Sequence, residues 1–360
     1  MPSTAILSLV VLPVVIIAAL AAFLAYLVIR YTPIIGRIFE EKPLFFPLRI
    51  APRPGEEVRF STSDGLELVG TYVSTPAASR VGVLVFCHEY LSDRWSFQPY
   101  IASLLGLGFD IFSFDFRNHG ASPCALQYRP LQWVSDHEVC DLRAALAYLR
   151  SRPDRDPAGF GLFGVSRGGG TALAVAADDP SVWGVVTDGA FPTRGTMNAY
   201  SKRWAQIYVS PGLFRLLPTW IYFFVGWAAR IRSQKRLSCR YPSIERAVFR
   251  LAPRPWLMIH GAKDTYIGPE IARSLFARAG DPKEFWLVPL AKHNRCRQVQ
   301  PEAYAERIEL FFSRYAPRRA LLQAKPSSPG PPTFPDPPHL GAARMPGAPV
   351  AEEVALTISG

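Results

Sequence analysis

Cysteine is scarce in this chain of 360 residues, and the five that occur follow no C-x-x-C spacing. An odd number of scattered cysteines excludes a disulfide-stapled miniprotein and does not indicate a zinc site. Charged residues are also few, at 19%, whereas hydrophobic residues make up 49%. That composition can bury a large core, which excludes disorder along the whole chain. Free thiols favour a reducing compartment, and the length fits one large domain with appendages.

Charge is absent from residues 5–29, a run of 25 residues near the N-terminus. A helix of that length spans roughly 37 Å, whereas a bilayer's hydrocarbon core is about 30 Å thick. We predict a retained transmembrane anchor over residues 1–30, the alternatives being a cleaved signal peptide and a buried core helix. Basic residues follow the run, namely Arg30, Arg37, Lys42 and Arg49, and none precedes it. This charge bias predicts a single-pass membrane protein with a cytoplasmic body.

Short apolar segments dominate the pattern after a Pro-rich juxtamembrane linker, which we predict over residues 31–57. Two alternating segments at residues 58–62 and 66–73 flank a Ser-Asp-Gly turn and predict a hairpin. Six continuous apolar runs follow, and they are typical of buried parallel strands. These runs cover residues 81–87, 109–116, 160–165, 182–187, 256–259 and 284–288.

Helical patterns alternate with these runs at residues 137–150, 169–177, 269–279 and 301–315. Alternation of strand and helix predicts a doubly wound α/β sheet within a domain over residues 58–316. Residues 317–360 contain ten prolines and too few apolar residues to bury. We therefore predict a disordered Pro-rich tail, the alternative being a partner-docking segment.

The strongest local signal is Gly164-Val165-Ser166-Arg167-Gly168, a G-x-S-x-G sequence between a predicted strand and a Gly-rich helix start. At such a strand-to-helix turn the serine side chain points out from the sheet edge. The N–H groups at the helix N-terminus also favour developing negative charge. We therefore predict that Ser166 is a nucleophile.

A serine hydroxyl needs a nearby base, and that base needs a carboxylate to orient it. His293 follows the last predicted strand, and Asp264 lies in the corresponding loop one strand earlier. Both are at the carboxyl edge of the predicted sheet, where crevice-lining residues collect. The order Ser166, Asp264, His293 predicts a catalytic triad, and Asp188 is the alternative carboxylate.

Three further motifs accompany the serine turn, namely His88-Glu89-Tyr90, the loop Asp-Phe-Arg-Asn-His-Gly-Ala-Ser at residues 115–122, and His260-Gly261-Ala262-Lys263-Asp264. Together with the serine turn they resemble the α/β-hydrolase superfamily, in particular its esterase, lysophospholipase and serine-aminopeptidase-like branch. The resemblance covers roughly residues 58–315. It implies the α/β-hydrolase fold, here preceded by one transmembrane helix, with a helical cap inserted at about residues 191–255. It also implies an oxyanion hole made by the backbone N–H groups of Tyr90 and Arg167.

Two residues depart from the pattern of that branch, because Glu89 and Asn118 stand where it usually has glycine. Glu89 is a candidate for a substrate-specific polar group beside the oxyanion hole. The alternative is a carboxylate paired with a nearby arginine such as Arg94. We interpret the loop at residues 117–120 as structural.

The cap segment, residues 191–255, has 12 basic residues and the single acid Glu245, whereas the rest of the chain has 28 of each. It therefore carries the whole formal net charge of +11. Aromatic residues are concentrated at residues 220–227 of the same segment. Basic residues beside aromatic ones are typical of an interfacial membrane element. The alternative is a cap with an apolar underside and a solvated basic outer face. No nucleic-acid recognition motif occurs, and we predict no nucleic-acid partner.

These features predict a membrane-anchored serine hydrolase that cleaves a carboxylic ester or thioester, with a lipid-like or acylated small molecule as substrate. The predicted reaction passes through an acyl-enzyme and needs no metal and no organic cofactor. A peptidase or amidase of the same fold is one alternative. A non-catalytic, hydrolase-like binding module is the other.

Overall fold

The computed structural model of the protein describes residues 2–41 and 49–317, and for residues 2–10 and 213 it describes the backbone alone. The Pro-rich tail predicted for residues 317–360 lies outside these ranges from residue 318 onward. Residues 42–48 of the predicted linker lie outside them as well.

Eight strands form one sheet. They are β1 (Glu56–Ser61), β2 (Glu67–Val73), β3 (Gly82–Cys87), β4 (Phe109–Phe114), β5 (Phe160–Val165), β6 (Val182–Asp188), β7 (Trp256–Gly261) and β8 (Lys283–Val288). Their order across the sheet is β1-β2-β4-β3-β5-β6-β7-β8. β1 and β2 form the predicted hairpin, β2 also pairs antiparallel with β4, and the remaining pairs are parallel. The mostly parallel sheet predicted from the sequence is therefore confirmed.

Helices cover both faces of the sheet. The helices in the described part of the chain are α1 (Pro2–Glu40), α2 (Gln98–Ile101), α3 (Asp136–Ser151), α4 (Arg167–Ala176), α5 (Thr193–Tyr208), α6 (Pro211–Leu216), α7 (Thr219–Arg236), α8 (Ile244–Phe249), α9 (Pro269–Phe276), α10 (Cys296–Val299) and α11 (Pro301–Tyr315). Residues of α3, α4, α8 and α9 belong to one core cluster with the strands, and residues of α2 and α11 belong to a second. Because both faces are covered, β3, β4, β5 and β7 have no exposed residue, as their continuous apolar sequences predict.

The N-terminal helix α1 does not end at Arg30 but continues to Glu40, so the first part of the segment predicted as a linker is helical. Its last turns pack into the domain, where Phe39 is fully buried. The indole N–H of Trp133 donates to the carbonyl oxygen of Phe39 at 2.8 Å. Glu40 forms an ion pair with Arg236 of α7 at 3.2 Å. The end of α1 is therefore an integral part of the domain.

Four helices, α5 to α8, lie between β6 and β7, where the sequence predicts a helical cap. α7 has two apolar faces. Its inner face, which includes Val225 and Ala229, is buried in a cluster with Ile35 and Phe39 of α1. Its outer face exposes aromatic side chains, namely Trp220, Phe223, Phe224 and Trp227.

Candidate active site

The serine of the G-x-S-x-G sequence lies at a sharp turn between β5 and α4. Ser166 has φ 51° and ψ −114°, a backbone conformation that a residue with a Cβ atom rarely adopts. A Cβ atom on Gly164 would lie 2.5 Å from the carbonyl oxygen of Gly168. A Cβ atom on Gly168 would lie 2.1 Å from the carbonyl oxygen of Cys87. Glycine at both positions therefore lets α4 turn back against the end of β3.

Three side chains predicted as a triad are joined by hydrogen bonds. Ser166 Oγ lies 2.9 Å from His293 Nε2, and His293 Nδ1 lies 2.6 Å from Asp264 Oδ2. These residues follow β5, β8 and β7, so the carboxyl ends of three strands supply the cluster. With Nδ1 donating to the carboxylate, Nε2 is the nitrogen that can accept the serine proton.

The Asp264 carboxylate is fixed by its own loop. Its Oδ1 atom accepts hydrogen bonds from the backbone N–H groups of Tyr266 and Ile267, both at 2.9 Å. Burial opposes ionisation of this carboxyl, but the hydrogen bonds that it accepts, first of all from His293, outweigh burial, so the pKa of Asp264 is below its usual value. The carboxylate is therefore ionised at neutral pH and held toward the imidazole.

Asp188, the alternative carboxylate, lies beneath the serine turn and has different partners. Its side chain accepts a hydrogen bond from the Tyr304 hydroxyl at 2.9 Å. Its backbone carbonyl accepts the N–H of Ser166 at 2.7 Å. Burial raises the pKa of Asp188 to about 6. The structure therefore pairs His293 with Asp264, and Asp188 supports the turn.

Gly189 was not singled out in the sequence, although it makes room for the imidazole. Its φ is 69°, in the left-handed region, and a Cβ atom there would lie 2.7 Å from Asn294 Oδ1 and 3.3 Å from His293 Cε1. The Asp188-Gly189 pair after an apolar run was the available signal, because such a pair is typical of a turn that needs positive φ.

The backbone N–H groups of Tyr90 and Arg167 lie on two segments that meet at the serine turn. The close approach of Gly168 to Cys87 brings the start of α4 against the loop that follows β3. No hydrogen bond within the described residues uses the backbone N–H of Tyr90 or of Arg167. Both N–H groups therefore remain available to an external acceptor.

His88 holds the loop that carries Tyr90. The backbone N–H of Phe116 donates to His88 Nε2 at 3.1 Å, so the ring proton is on Nδ1, which donates to the carbonyl oxygen of Glu89 at 2.7 Å. Burial lowers the pKa of His88 to about 3, which keeps the ring neutral. The loop is therefore fixed by a neutral histidine.

The Arg167 side chain is fully buried beneath the serine turn. Its guanidinium donates to the carbonyl oxygen of Leu131 at 3.1 Å and to His119 Nε2 at 3.1 Å. It also lies 3.5 Å from a carboxylate oxygen of Glu138, which is itself buried. The loop at residues 117–120, interpreted as structural from the sequence, thus supports the start of α4 through His119.

Asn118 has a positive φ, as expected at a position where the resembling branch usually has glycine. Its φ is 62°, and asparagine is one of the few residues that tolerate the left-handed region. The side chain also bonds within the loop, since its amide donates to the carbonyl oxygen of Tyr128 at 3.1 Å. This departure from the family pattern therefore leaves the loop geometry intact.

Glu89 is buried, and its suggested pairing with Arg94 is wrong. The Arg94 guanidinium instead forms ion pairs with Asp115 and, at 3.1 Å, with Glu57. The Glu89 carboxyl has Ser96 Oγ at 3.5 Å. Burial raises the pKa of Glu89 to about 7. Among the described residues no cationic side chain pairs with Glu89, so a buried acid lies in the loop that carries Tyr90.

We expect Glu89 to make the fold less stable as the pH rises. The pKa is about 7 in the fold and 4.5 as its ordinary value, so the folded state binds more protons between these pH values. Its contribution is therefore greatest below pH 4.5 and falls as the pH rises to about 7. Replacing Glu89 by glutamine is expected to increase the free energy of unfolding at pH 8 by about 1 to 3 kcal/mol.

Urea unfolding of both proteins at pH 5 and pH 8 measures this effect. Glu306→Gln is a matched control, because Glu306 is exposed on α11 and the replacement removes the same charge. An equal change of stability with pH in the wild type and in Glu89→Gln would contradict the assignment.

A cavity of about 460 Å³ opens above the cluster, and Ser166 and His293 are part of its wall. Its other walls are mainly apolar and aromatic. They include Trp133, Phe191, Trp204 and Ile207, together with Ile38 and Glu41 from the end of α1. The sequence did not predict that α1 forms part of the cavity wall, because residues 31–57 were interpreted as a linker. In the described ranges no group of three or more His, Cys, Asp or Glu side chains could hold a metal ion.

Comparison with known sequences identifies two relatives that match most of the chain and a third that matches about a third of it. A protein of Mycobacterium tuberculosis named only as uncharacterised is 25% identical over 262 residues, which are 73% of this chain and 80% of that protein. YfhR of Escherichia coli, also named as uncharacterised, is 25% identical over 67% of this chain and 74% of its own length. The thiohydrolase AneE of Aspergillus aculeatus is 34% identical over 128 residues, 35% of this chain and 38% of that enzyme.

Comparison with solved structures identifies the same fold. An esterase from Pyrococcus furiosus superposes with a TM-score of 0.57 at 22% identity, covering 77% of this chain and all of the esterase. The α/β hydrolase GrgF of a Penicillium species gives 0.54 at 22% identity, covering 73% of this chain and 99% of GrgF. A sequence model described as the alpha/beta hydrolase family matches residues 84–307. Because this model covers more than half of the chain, the chain belongs to the alpha/beta hydrolase family.

Proposed function

We propose that the protein is a membrane-anchored serine hydrolase that cleaves a carboxylic ester or thioester through an acyl-enzyme. The observation that carries this proposal is the hydrogen-bonded sequence from Ser166 Oγ through His293 to Asp264 at the wall of an apolar cavity. A hydroxyl in that arrangement is activated by a base that is itself oriented by an ionised carboxylate.

In the proposed reaction, Ser166 Oγ attacks the carbonyl carbon while His293 Nε2 accepts the serine proton. The carbonyl oxygen becomes negatively charged and accepts hydrogen bonds from the backbone N–H groups of Tyr90 and Arg167. The C–O or C–S bond then breaks, and the leaving alcohol or thiol takes the proton from His293. Water attacks the acyl-enzyme by the same route and releases the acid with Ser166 restored.

Two observations support an ester or thioester as the bond that is cleaved. The cavity is bounded mainly by apolar and aromatic side chains, which suit an acyl chain. A relative with 34% identity over part of the chain is named a thiohydrolase. An acylated or lipid-like molecule is the substrate class that combines these features.

We also propose that α1 is a retained membrane anchor. Its segment Val11–Glu40 has a mean hydropathy of 2.8 over its most apolar window, of which 6% is buried. A core helix of a soluble protein would instead be mostly buried. The last turns of α1 pack into the hydrolase core through Phe39, which favours retention over removal as a signal peptide. Arg30 and Arg37 on the side of the body support a cytoplasmic catalytic domain.

A fluorophosphonate probe tests the proposed function, because it reacts covalently with activated serines. We expect mass spectrometry to locate the label on Ser166 in the wild type and to detect none in Ser166→Ala. Ser151→Ala serves as the control, since Ser151 is exposed and its hydroxyl donates to the backbone carbonyl oxygen of Tyr148. A folded wild-type protein that does not react would instead indicate a hydrolase-like binding module.

A further inference from the structure

The outer face of the cap exposes a group of large apolar side chains that the hydrolytic reaction does not use. We define the cap rim as Tyr208 of α5, Leu216 of α6, and Trp220, Phe223, Phe224 and Trp227 of α7. Their exposed fractions lie between 42% for Phe223 and 80% for Leu216. Clustered exposed side chains of this size mark an interaction surface, whereas single ones do not.

The position of the cap rim follows from the contacts between α7 and α1, which run parallel. Ile221 lines the same small apolar cavity as Leu27, near the level where α1 first enters the domain. About two turns further along both helices, the backbone of Ala229 approaches Gly36. At the far end, Arg236 pairs with Glu40. These three contacts fix the register of the two helices, so that each residue of α7 lies beside a known position along the axis of α1.

This register places the four aromatic residues of α7 beside the end of the charge-free run of α1. Trp220 lies near the level of Tyr26, and Trp227 lies near the level of Pro33, about 10 Å further along the axis. Arg30, the first charged residue of α1, falls within this interval. For a membrane-spanning α1, Arg30 marks the boundary between acyl chains and headgroups, where tryptophan and other aromatic residues concentrate.

Basic residues lie further along α7, on the side away from the span. Arg232, Lys235 and Arg236 are exposed in its last two turns. Their order relative to the cap rim is the one expected at a membrane surface, with aromatic rings at the acyl boundary and cations among the phosphates. Binding to a soluble partner would not require the aromatic and basic residues of α7 to follow one another in this order along the axis of α1.

The active-site cavity extends toward the same boundary. Its wall passes from Ser166 along Tyr200 and Trp204 to Ile207, which is 66% exposed. Ile207 lies in the last turn of α5, next to Tyr208 of the cap rim. The neighbouring residues Ala205 and Val209 pack in a cluster with Tyr31 of α1. One end of the cavity wall, at Ile207, is therefore at the level of the cap rim.

We infer that the cap rim is seated in the surface of the bilayer that α1 spans, and that the cavity receives an acyl chain directly from that bilayer. This inference rests on the proposed function for the identity of the reaction. It adds the partner surface, a lipid bilayer, and the substrate class, a membrane-resident acyl lipid. The leaving group faces the aqueous side, where the basic residues of the cap lie.

Quenching of tryptophan emission by brominated lipid tests the contact with the bilayer. Full-length protein is placed in phosphatidylcholine nanodiscs with and without bromine on the acyl chains. We expect bromine to quench the wild type, and most of that quenching to be lost in Trp220→Phe/Trp227→Phe. The control removes two tryptophans from the hydrolase body, Trp95→Phe/Trp286→Phe, and is expected to retain it. Equal quenching in both variants would overturn the inference and leave the rim to another occupant, such as a second copy of the chain.

Hydrolysis in the same nanodiscs tests the route of the substrate. Phe223→Ser/Phe224→Ser is expected to lower the rate on a long-chain ester embedded in the bilayer about tenfold and to leave a short, water-soluble ester unaffected. Leu126→Ser/Phe249→Ser, at exposed positions outside the cap rim, is the matched control. Equal loss on both esters in the rim variant would contradict entry from the bilayer. A wild type that quenches but cleaves neither ester would instead contradict the proposed function.

Discussion

Replacing Ser166 by alanine is expected to lower kcat for an activated ester by about a million-fold, the loss typical of removing a triad nucleophile. The hydroxyl is the atom that forms the acyl-enzyme in the proposed reaction, and it lies 2.9 Å from His293 Nε2. Little structural change should accompany the loss, because Ser166 contributes to the fold mainly through its backbone N–H to Asp188.

We expect the two carboxylates beneath the site to have different roles, Asp264 in turnover and Asp188 in support of the serine turn. Asp264→Asn should lower kcat by about ten-thousand-fold, because the amide cannot hold the imidazole in the right tautomer and charge state. Asp188→Asn should have a much smaller effect, since its side chain accepts a hydrogen bond from Tyr304, whereas Asp264 is the carboxylate bonded to His293 Nδ1. The double variant Ser166→Ala/Asp264→Asn should be no slower than Ser166→Ala, as members of one unit are not additive.

Steady-state kinetics with thermal unfolding of each variant checks this group of effects. A loss from Asp188→Asn as large as that from Asp264→Asn, with both proteins folded, would reverse the assignment of the carboxylate. If Ser166→Ala hydrolysed the ester at the rate of the wild type, another residue would have to form the acyl-enzyme.

Replacing Gly168 by alanine is expected to have the second-largest effect, on folding as well as on turnover. The new Cβ atom would meet the carbonyl oxygen of Cys87 at 2.1 Å and that of His88 at 2.6 Å. Both are backbone atoms, so no side-chain rotation can relieve the overlap. We expect the free energy of unfolding to fall by about 3 kcal/mol or more. Activity should fall as well, because any shift of α4 also displaces the N–H of Arg167.

Gly106→Ala is the control for this replacement. No atom would lie within 4 Å of a Cβ at Gly106, so alanine should be tolerated there. Urea unfolding of both variants, together with probe labelling of Ser166, measures the difference. Gly168→Ala with wild-type stability and full labelling would show that the close packing between α4 and β3 is not needed.

Local sequence predicts most of the sheet and the three residues that the structure joins by hydrogen bonds at its carboxyl edge. Strands such as β5 and β7 are short continuous apolar runs bounded by turn residues, and their length favours a buried strand over a helix. Ser166, Asp264 and His293 could be found because each follows a strand, and parallel strands end at one edge of the sheet. The capping box of Ser135 and Glu138 similarly fixes where α3 begins.

Features that depend on contacts between distant segments could not be predicted from local patterns. The apolar run predicts an N-terminal helix but not that Ile38 and Phe39 pack against the cap, since the packing surface is formed by α7 and Trp133. Arg94 was close to Glu89 in the sequence, yet Asp115 competes for it from the end of β4. The proximity of two charges along a chain does not determine which pair forms in the fold.

The continuity of α1 with the hydrolase core has a consequence for how such an enzyme meets its substrate. A domain on a flexible tether rotates freely and samples many heights above a membrane, whereas the packing of Phe39 and the pair between Glu40 and Arg236 remove that freedom. For an anchored α1, the orientation and the height of the cleft are then constant. Encounter would be governed by lateral, two-dimensional diffusion of lipid and enzyme in one leaflet, and its rate would depend on surface density rather than on bulk concentration.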